Sequence, residues 1–120
     1  MSKLVFIYGT LKKGCCRNHL LENQKFIGLA RTTNQYKIYD CGGFPGLASA
    51  YPSEDNFVEG ELWEVDENYI SYLDRIEGSP YLYCLDKVFL QDIDEEVYAY
   101  FWKKSTVGLK DCGHVWIESF

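Results

Sequence analysis

The chain has 120 residues, which is the size of one domain, and 47% of them are hydrophobic, enough for a core without disulfides or a metal. Its formal net charge is −6 and its pI is near 4.8. These values exclude a basic surface for nucleic acid and argue against binding to an anionic membrane. Residues 1–120 are therefore predicted to form a single domain.

The N-terminus and the cysteines predict where the protein resides. The first apolar run, residues 4–7, is too short for the core of a signal peptide, and no stretch approaches the ~20 residues of a membrane-spanning helix. The 5 cysteines are odd in number and show no CxxC spacing, which is typical of reduced thiols rather than of a zinc site. The sequence therefore predicts a soluble cytoplasmic protein without a bound metal.

Short strands dominate the first half of the chain. An apolar, β-branched run predicts a buried strand over residues 3–8, interrupted at Gly9. Asn18 is predicted to cap a short helix that contains Leu20 and Leu21. Further strands are predicted over residues 25–31 and 35–41, and a turn rich in glycine and proline separates them from the short run 47–51.

The second half contains one clear helix between strands. Alternating hydrophobicity predicts a strand over residues 57–65, after which Asp66 caps the helix and Gly78 and Pro80 end it. Two more strands, residues 81–90 and 97–102, are predicted to be joined by an acidic turn, residues 91–96. About six strands with one helix predict a mixed α+β fold rather than a regular βαβ repeat.

One carboxylate, Glu77, occupies an unusual position in the predicted helix. It follows Leu73 by four residues and Ile70 by seven, which places it in the apolar stripe rather than on the wet face. It also lies in the last turn, where the helix dipole disfavours an anion. Burial and dipole both raise its pKa, so Glu77 is a candidate general acid or base. Alternatively, its side chain turns past the helix end into water.

The loop after the first strand, residues 8–14 with the sequence YGTLKKG, is a second candidate site. Gly9 allows a sharp turn and a close approach by a ligand. Successive backbone N–H groups in such a turn can form a nest for an anion or oxyanion, here lined by Tyr8 and Thr10. The spacing matches neither a Walker loop nor a GxGxxG fingerprint. An ordinary turn at the end of a strand is the alternative.

Four segments, in this order, resemble the sequence pattern of γ-glutamylcyclotransferase-like proteins. They are YGTLKKG at residues 8–14 followed by Asn18 and His19, VEGELWEV at 58–65, LDRIEGSP at 73–80 with Tyr83, and YAY at 98–100. Together they extend from residue 5 to about residue 101. The opening segment is most similar to the γ-glutamylamine cyclotransferase branch of the family.

The resemblance implies a small mixed β-barrel-like sheet flanked by helices, with a cavity at the barrel mouth. It also implies release of 5-oxoproline and a free amine from a γ-glutamyl amine or peptide, without a metal or organic cofactor. Glu77 corresponds to the family's catalytic glutamate. The substrate-binding residues that we predict on this basis are Tyr8, Gly9, Thr10, Leu11, Tyr83 and Tyr100. A monomer with no partner besides the small-molecule substrate is expected.

Two other functions are compatible with the residues. A non-catalytic binding module could use the same cavity to hold a small acidic metabolite. A thiol-dependent enzyme could instead use Cys15 or Cys16 as its nucleophile. Residues 103–120 match no pattern that assigns them a role.

Overall fold

The computed structural model describes residues 1–79 and 81–117, and its strands belong to one sheet. These residues contain a single α-helix, α1 (Glu67–Ile76), and a 3₁₀ helix at Asn18–Leu21. The strands are β1 (Ser2–Ile7), β2 (Lys25–Arg31), β3 (Tyr36–Asp40), β4 (Pro45–Ser49), β5 (Glu59–Asp66), β6 (Tyr83–Leu90), β7 (Ile93–Trp102) and β8 (Lys110–Asp111).

The sheet is mixed, which confirms the predicted α+β class. Its strand order is β2-β5-β1-β7-β4-β3-β8, and β6 pairs with β7 outside this path. β1 is antiparallel to β5 and parallel to β7, and β7 is also parallel to β4. In the part of the chain that the structure describes, the sheet is open, since the ends of β2 and β6 are linked only by one isolated bridge, between Thr32 and Leu90, and not by a strand pairing. Closure into a barrel and several flanking helices are therefore not confirmed for the described residues.

The core lies on both faces of β1, because successive side chains of a strand point to opposite faces. Val5 and Ile7 pack in one buried cluster with Leu73 of α1. Phe6 and Tyr8 belong to a second cluster on the other face. The end of β1 is therefore held from both sides, and the loop that follows it starts from a rigid position.

Local signals correctly predict α1. The Asp66 carboxylate accepts a hydrogen bond from the Asn68 N–H at 2.8 Å, and Gly78 follows the helix with a φ of +70°. The predicted cap of the short helix is wrong, because Arg17 occupies the capping position. Asn18 instead donates from its side chain to the Leu11 carbonyl at 2.8 Å.

The hairpin of β6 and β7 is tighter than predicted. β7 begins at Ile93 rather than at residue 97, so the turn consists of Gln91 and Asp92, with Asp92 at a φ of +62°. Aspartate tolerates this left-handed conformation better than most residues. The acidic residues 94–96 belong to β7 and are exposed to solvent, so their charges are not buried although they lie in a strand.

Two further features follow from the described residues. The unassigned C-terminal segment contributes β8, which pairs with β3 through Asp111 opposite Tyr39 and Lys110 opposite Asp40. None of the helices in residues 1–79 and 81–117 has the length and apolar character needed to cross a membrane.

Candidate functional site

A cavity of about 220 Å³ opens where the end of β1 meets the end of α1. This volume is below the roughly 300–1,000 Å³ of pockets for drug-sized ligands, so the cavity suits a compact metabolite. It brings together every site residue that the sequence predicts. These are Tyr8, Gly9, Thr10, Leu11, Glu77, Tyr83 and Tyr100.

Gly9 allows the loop after β1 to turn against β4. The turn is closed by a hydrogen bond from the Lys12 N–H to the Gly9 carbonyl at 3.0 Å. A Cβ atom at Gly9 would lie only 2.6 Å from Cγ of Pro45, closer than such atoms approach in proteins. The absence of a side chain therefore brings the loop backbone and β4 together at the cavity wall.

The loop presents backbone donors to the cavity. Among the described residues, no acceptor is hydrogen-bonded to the N–H groups of Gly9, Thr10 or Leu11. All three residues line the cavity, and consecutive unpaired N–H groups are the donor set of an anion nest. That such a nest binds a ligand here stays a prediction.

Glu77 lines the cavity rather than extending past the helix into solvent. It is the residue directly after α1, and its N–H donates to the Leu73 carbonyl at 2.9 Å, which holds its backbone in a last helical turn. Burial raises the pKa of Glu77 to about 7, and the nearby positive charge of Arg17 partly opposes this rise. The carboxyl group can therefore exchange a proton near neutral pH.

The three tyrosines of the cavity use their hydroxyl protons within the fold. Tyr8 donates to the Tyr100 carbonyl at 2.5 Å, and Tyr83 donates to the Pro45 carbonyl at 2.6 Å. Tyr100 donates to Oδ1 of Asp74 at 2.7 Å. Burial raises the pKa of each of these hydroxyls well above its usual range. They are thus neutral walls, which leaves Glu77 to exchange protons.

Several residues that line the cavity are not predicted from the sequence. Phe44 and Pro45 come from the turn and strand after β3, far from the loop in sequence, so no local pattern indicates them. Arg17 also lines the cavity. One signal in the sequence points to Arg17: it is the single basic residue between the loop at residues 8–14 and the Asn18-His19 pair that completes the first resembling segment.

The cysteines and possible metal ligands contribute little to this site. Cys15 and Cys16 are not among the residues that line the cavity. Throughout residues 1–79 and 81–117, no three His, Cys, Asp or Glu side chains are grouped so that they could hold a metal ion. The thiol-dependent alternative therefore receives no support from the geometry.

Comparison with known proteins identifies relatives along nearly the whole chain. Residues 5–118 match the family model described as gamma-glutamyl cyclotransferase, AIG2-like. Gamma-glutamylaminecyclotransferase A of Danio rerio is 36% identical over an alignment of 108 positions, and the match covers 80% of this chain and 66% of that protein. The human gamma-glutamylaminecyclotransferase is 36% identical over an alignment of 87 positions, and the match covers 67% of this chain and 56% of that protein.

A solved structure has the same fold. An AIG2-like protein from Mus musculus superimposes with a TM-score of 0.82 at 23% sequence identity. The match covers 97% of this chain and 88% of the mouse protein. The chain thus spans between about half and two thirds of the two curated relatives, and most of the mouse structure.

Proposed function

Because this chain belongs to the gamma-glutamyl cyclotransferase, AIG2-like family, we propose that it releases 5-oxoproline and a free amine from a γ-glutamyl amine or γ-glutamyl peptide. One observation carries the proposal. A half-buried glutamate, Glu77, with a pKa of about 7 shares a small cavity with unpaired N–H groups of Gly9, Thr10 and Leu11. A general acid/base and an oxyanion site are the two elements that the reaction needs.

The substrate carries its own nucleophile. The α-nitrogen of a γ-glutamyl group can attack its own γ-carbonyl carbon, closing a five-membered ring, and this intramolecular attack avoids a large entropic cost. The α-amine is normally protonated and must first lose a proton. In the proposed mechanism, ionised Glu77 takes that proton. The new bond joins the α-nitrogen to the γ-carbonyl carbon.

Collapse of the tetrahedral intermediate completes the proposed reaction. The bond between the γ-carbonyl carbon and the leaving nitrogen breaks, and Glu77 delivers its proton to that nitrogen. The ring nitrogen, which still carries two protons, gives one of them to the released amine, so the amine leaves as an ammonium ion and Glu77 is ionised again. The N–H groups of Gly9 and Leu11 would stabilise the oxyanion before this step. No cofactor is required, because the substrate supplies the nucleophile and Glu77 the proton transfer. Activity should therefore survive treatment with a metal chelator.

The apolar walls support cyclisation over hydrolysis. The cavity that contains Glu77 is also lined by apolar and aromatic side chains, namely Tyr8, Phe44, Leu82, Tyr83 and Tyr100. Such walls restrict water near the reacting carbonyl and favour the internal amine as nucleophile. They could also accommodate the methylene chain of a leaving group such as the ε-amine of lysine, so γ-glutamyl-ε-lysine is our first candidate substrate.

The proposal is tested by incubating the protein with γ-glutamyl-ε-lysine, γ-glutamyl-alanine and glutathione, and measuring 5-oxoproline by mass spectrometry. We expect 5-oxoproline from at least one compound, in an amount equal to the free amine. Binding of these compounds without conversion would contradict the enzyme and support a binding module for small acidic metabolites.

The pH dependence provides a second test. Glu77 must be ionised to accept the proton, so kcat/KM should rise with pH and level off above about 7, the pKa of that carboxyl group. Below that value the rate should fall about tenfold per pH unit, since the fraction of ionised carboxylate falls tenfold. Initial rates across a pH series measure this limb.

The pH at which this limb is centred can be compared with the ordinary pKa of a glutamate. A limb centred near 4.5, the value of an unperturbed glutamate, would contradict rate control by a buried carboxyl group with a raised pKa. Glu67→Gln, a change in the first turn of α1 and outside the cavity, should leave the pH profile as in the wild type.

A further inference from the structure

The cavity contains one positive and one negative side chain among the described residues that line it. These are Arg17 and Glu77, and the other lining residues are uncharged. A γ-glutamyl group also carries one charge of each sign close together, on its α-ammonium and its α-carboxylate. Charge complementarity therefore suggests how the group is oriented in the cavity.

Two hydrogen bonds attach Arg17 and Asn18 to the loop after β1. The Arg17 N–H donates to the Thr10 carbonyl at 2.8 Å, and the Asn18 side chain donates to the Leu11 carbonyl at the same distance. The backbone that carries the guanidinium is thus attached to the loop whose N–H groups line the cavity. The fold therefore fixes the backbone of Arg17 at the edge of the cavity.

The guanidinium is also available for a ligand. Within residues 1–79 and 81–117 it forms no salt bridge. Its charge acts on Glu77, the proposed proton acceptor, and on Tyr83 in the wall of the same cavity. A guanidinium can donate two parallel hydrogen bonds to a carboxylate, which recognises the planar shape of that group as well as its charge.

Building on the proposed function, we propose that Arg17 binds the α-carboxylate of the γ-glutamyl group and makes the enzyme specific for γ-glutamyl compounds whose α-carboxylate is free. The α-ammonium then lies on the side of Glu77, as proton removal requires. The N–H groups of Gly9 and Leu11 remain for the γ-carbonyl oxygen. Arg17 is thus a residue that determines specificity, separate from the proton-transfer step.

The test compares two substrates in two enzymes. γ-Glutamyl-alanine is paired with the analogue in which the α-carboxylate of its glutamyl residue is a carboxamide. In the wild type we expect the carboxamide to lower kcat/KM by about 10- to 100-fold, the effect of a lost charge-assisted pair. In Arg17→Gln the ratio of the two kcat/KM values should be about a tenth or less of the wild-type ratio, because the discriminating contact is gone.

The ratio of kcat/KM for the two substrates, compared between the two enzymes, isolates the contact between Arg17 and the α-carboxylate. The carboxamide also changes the basicity of the α-amine, but this change is the same in both enzymes and cancels when their ratios are compared. For γ-glutamyl-alanine itself, Arg17→Gln should act mainly through KM, and Arg17→Lys should restore part of the loss. Arg75→Gln is the matched control, because Arg75 is an exposed arginine near the end of α1 that does not line the cavity.

Two results would overturn the assignment. One is equal discrimination against the carboxamide in wild type and Arg17→Gln. The other is an Arg17→Gln variant that discriminates normally at the α-carboxylate and has lost preference for alanine over alaninamide as the leaving group, which would place the guanidinium at the leaving amine.

Failure of the proposed function is a separate outcome. If the wild type produces no 5-oxoproline from γ-glutamyl-alanine, titration calorimetry with the same two ligands still tests Arg17. A preference for the carboxylate that disappears in Arg17→Gln would support the contact while rejecting the enzyme. A wild type that binds both ligands equally, or binds neither, would reject the contact.

Discussion

Replacement of Glu77 by glutamine should lower kcat by about 10²- to 10⁴-fold, the usual contribution of a general acid/base. Glutamine has nearly the same shape but cannot accept the proton of the α-ammonium. The fold should persist. Burial raises the pKa of Glu77 to about 7, so its contribution to stability is present at acid pH and is lost as pH rises through that value. At pH 8 the variant should unfold at the same temperature as the wild type or above it.

Glu67→Gln provides the control for this result. It makes the same chemical change in the same helix, but in the first turn, where the glutamate side chain is 41% exposed. Its turnover should equal that of the wild type. The measurements are 5-oxoproline release and thermal denaturation at pH 8. Turnover of Glu77→Gln within about tenfold of the wild type, with a native melting curve, would show that another group transfers the proton.

Gly60→Ala should destabilise the protein by about 1–3 kcal/mol or more, the cost of overpacking a core. A Cβ atom at this position of β5 would lie 2.4 Å from the Ile7 carbonyl oxygen and 2.9 Å from Cζ of Phe6. Ile7 cannot move away easily, because it pairs with Glu61 in the same sheet. The two strands would therefore have to separate. Urea denaturation measures the loss as a lower midpoint.

The neighbouring strand offers a matched control. Gly28 of β2 lies opposite Leu62 of β5, and a Cβ atom there would meet no atom within 4 Å. Gly28→Ala should leave stability unchanged or raise it by about 0.4–1 kcal/mol, because alanine restricts the unfolded chain. Equal changes in the stability of the two variants would show that the close contact at Gly60 has no cost of its own.

The parts of the fold that depend on neighbouring residues could be predicted from the sequence. The Asp66 cap, the apolar stripe of α1 and the glycine that follows it all act within a few residues of one another. The sequence predicts too long a turn in the hairpin, because three consecutive acidic residues are typical of a turn, whereas residues 94–96 belong to β7. In the structure Glu96 forms an exposed salt bridge with Lys87 of β6 at 3.2 Å, so this acidic residue is accommodated in a strand.

The candidate site was predictable to a similar extent. The position of Glu77 in the stripe predicts its partial burial, and burial is what raises its pKa, against the opposing charge of Arg17. The hydroxyl partners of the tyrosines could not be predicted. Tyr83 donates to Pro45, 38 residues away, and Tyr8 donates to Tyr100, 92 residues away. Such contacts depend on which strands become neighbours, and a local pattern does not contain that information.

The place of β7 in the sheet has a consequence for how the protein is made. β7 pairs with β1, β4 and β6, yet it begins only at Ile93. During synthesis β1 and β4 therefore leave the ribosome long before their common neighbour does. Until then each has an unpaired edge that can join other chains. Because this pairing links distant segments, folding should be slow for a chain of this length, and aggregation should be most severe for nascent chains that stop before residue 102.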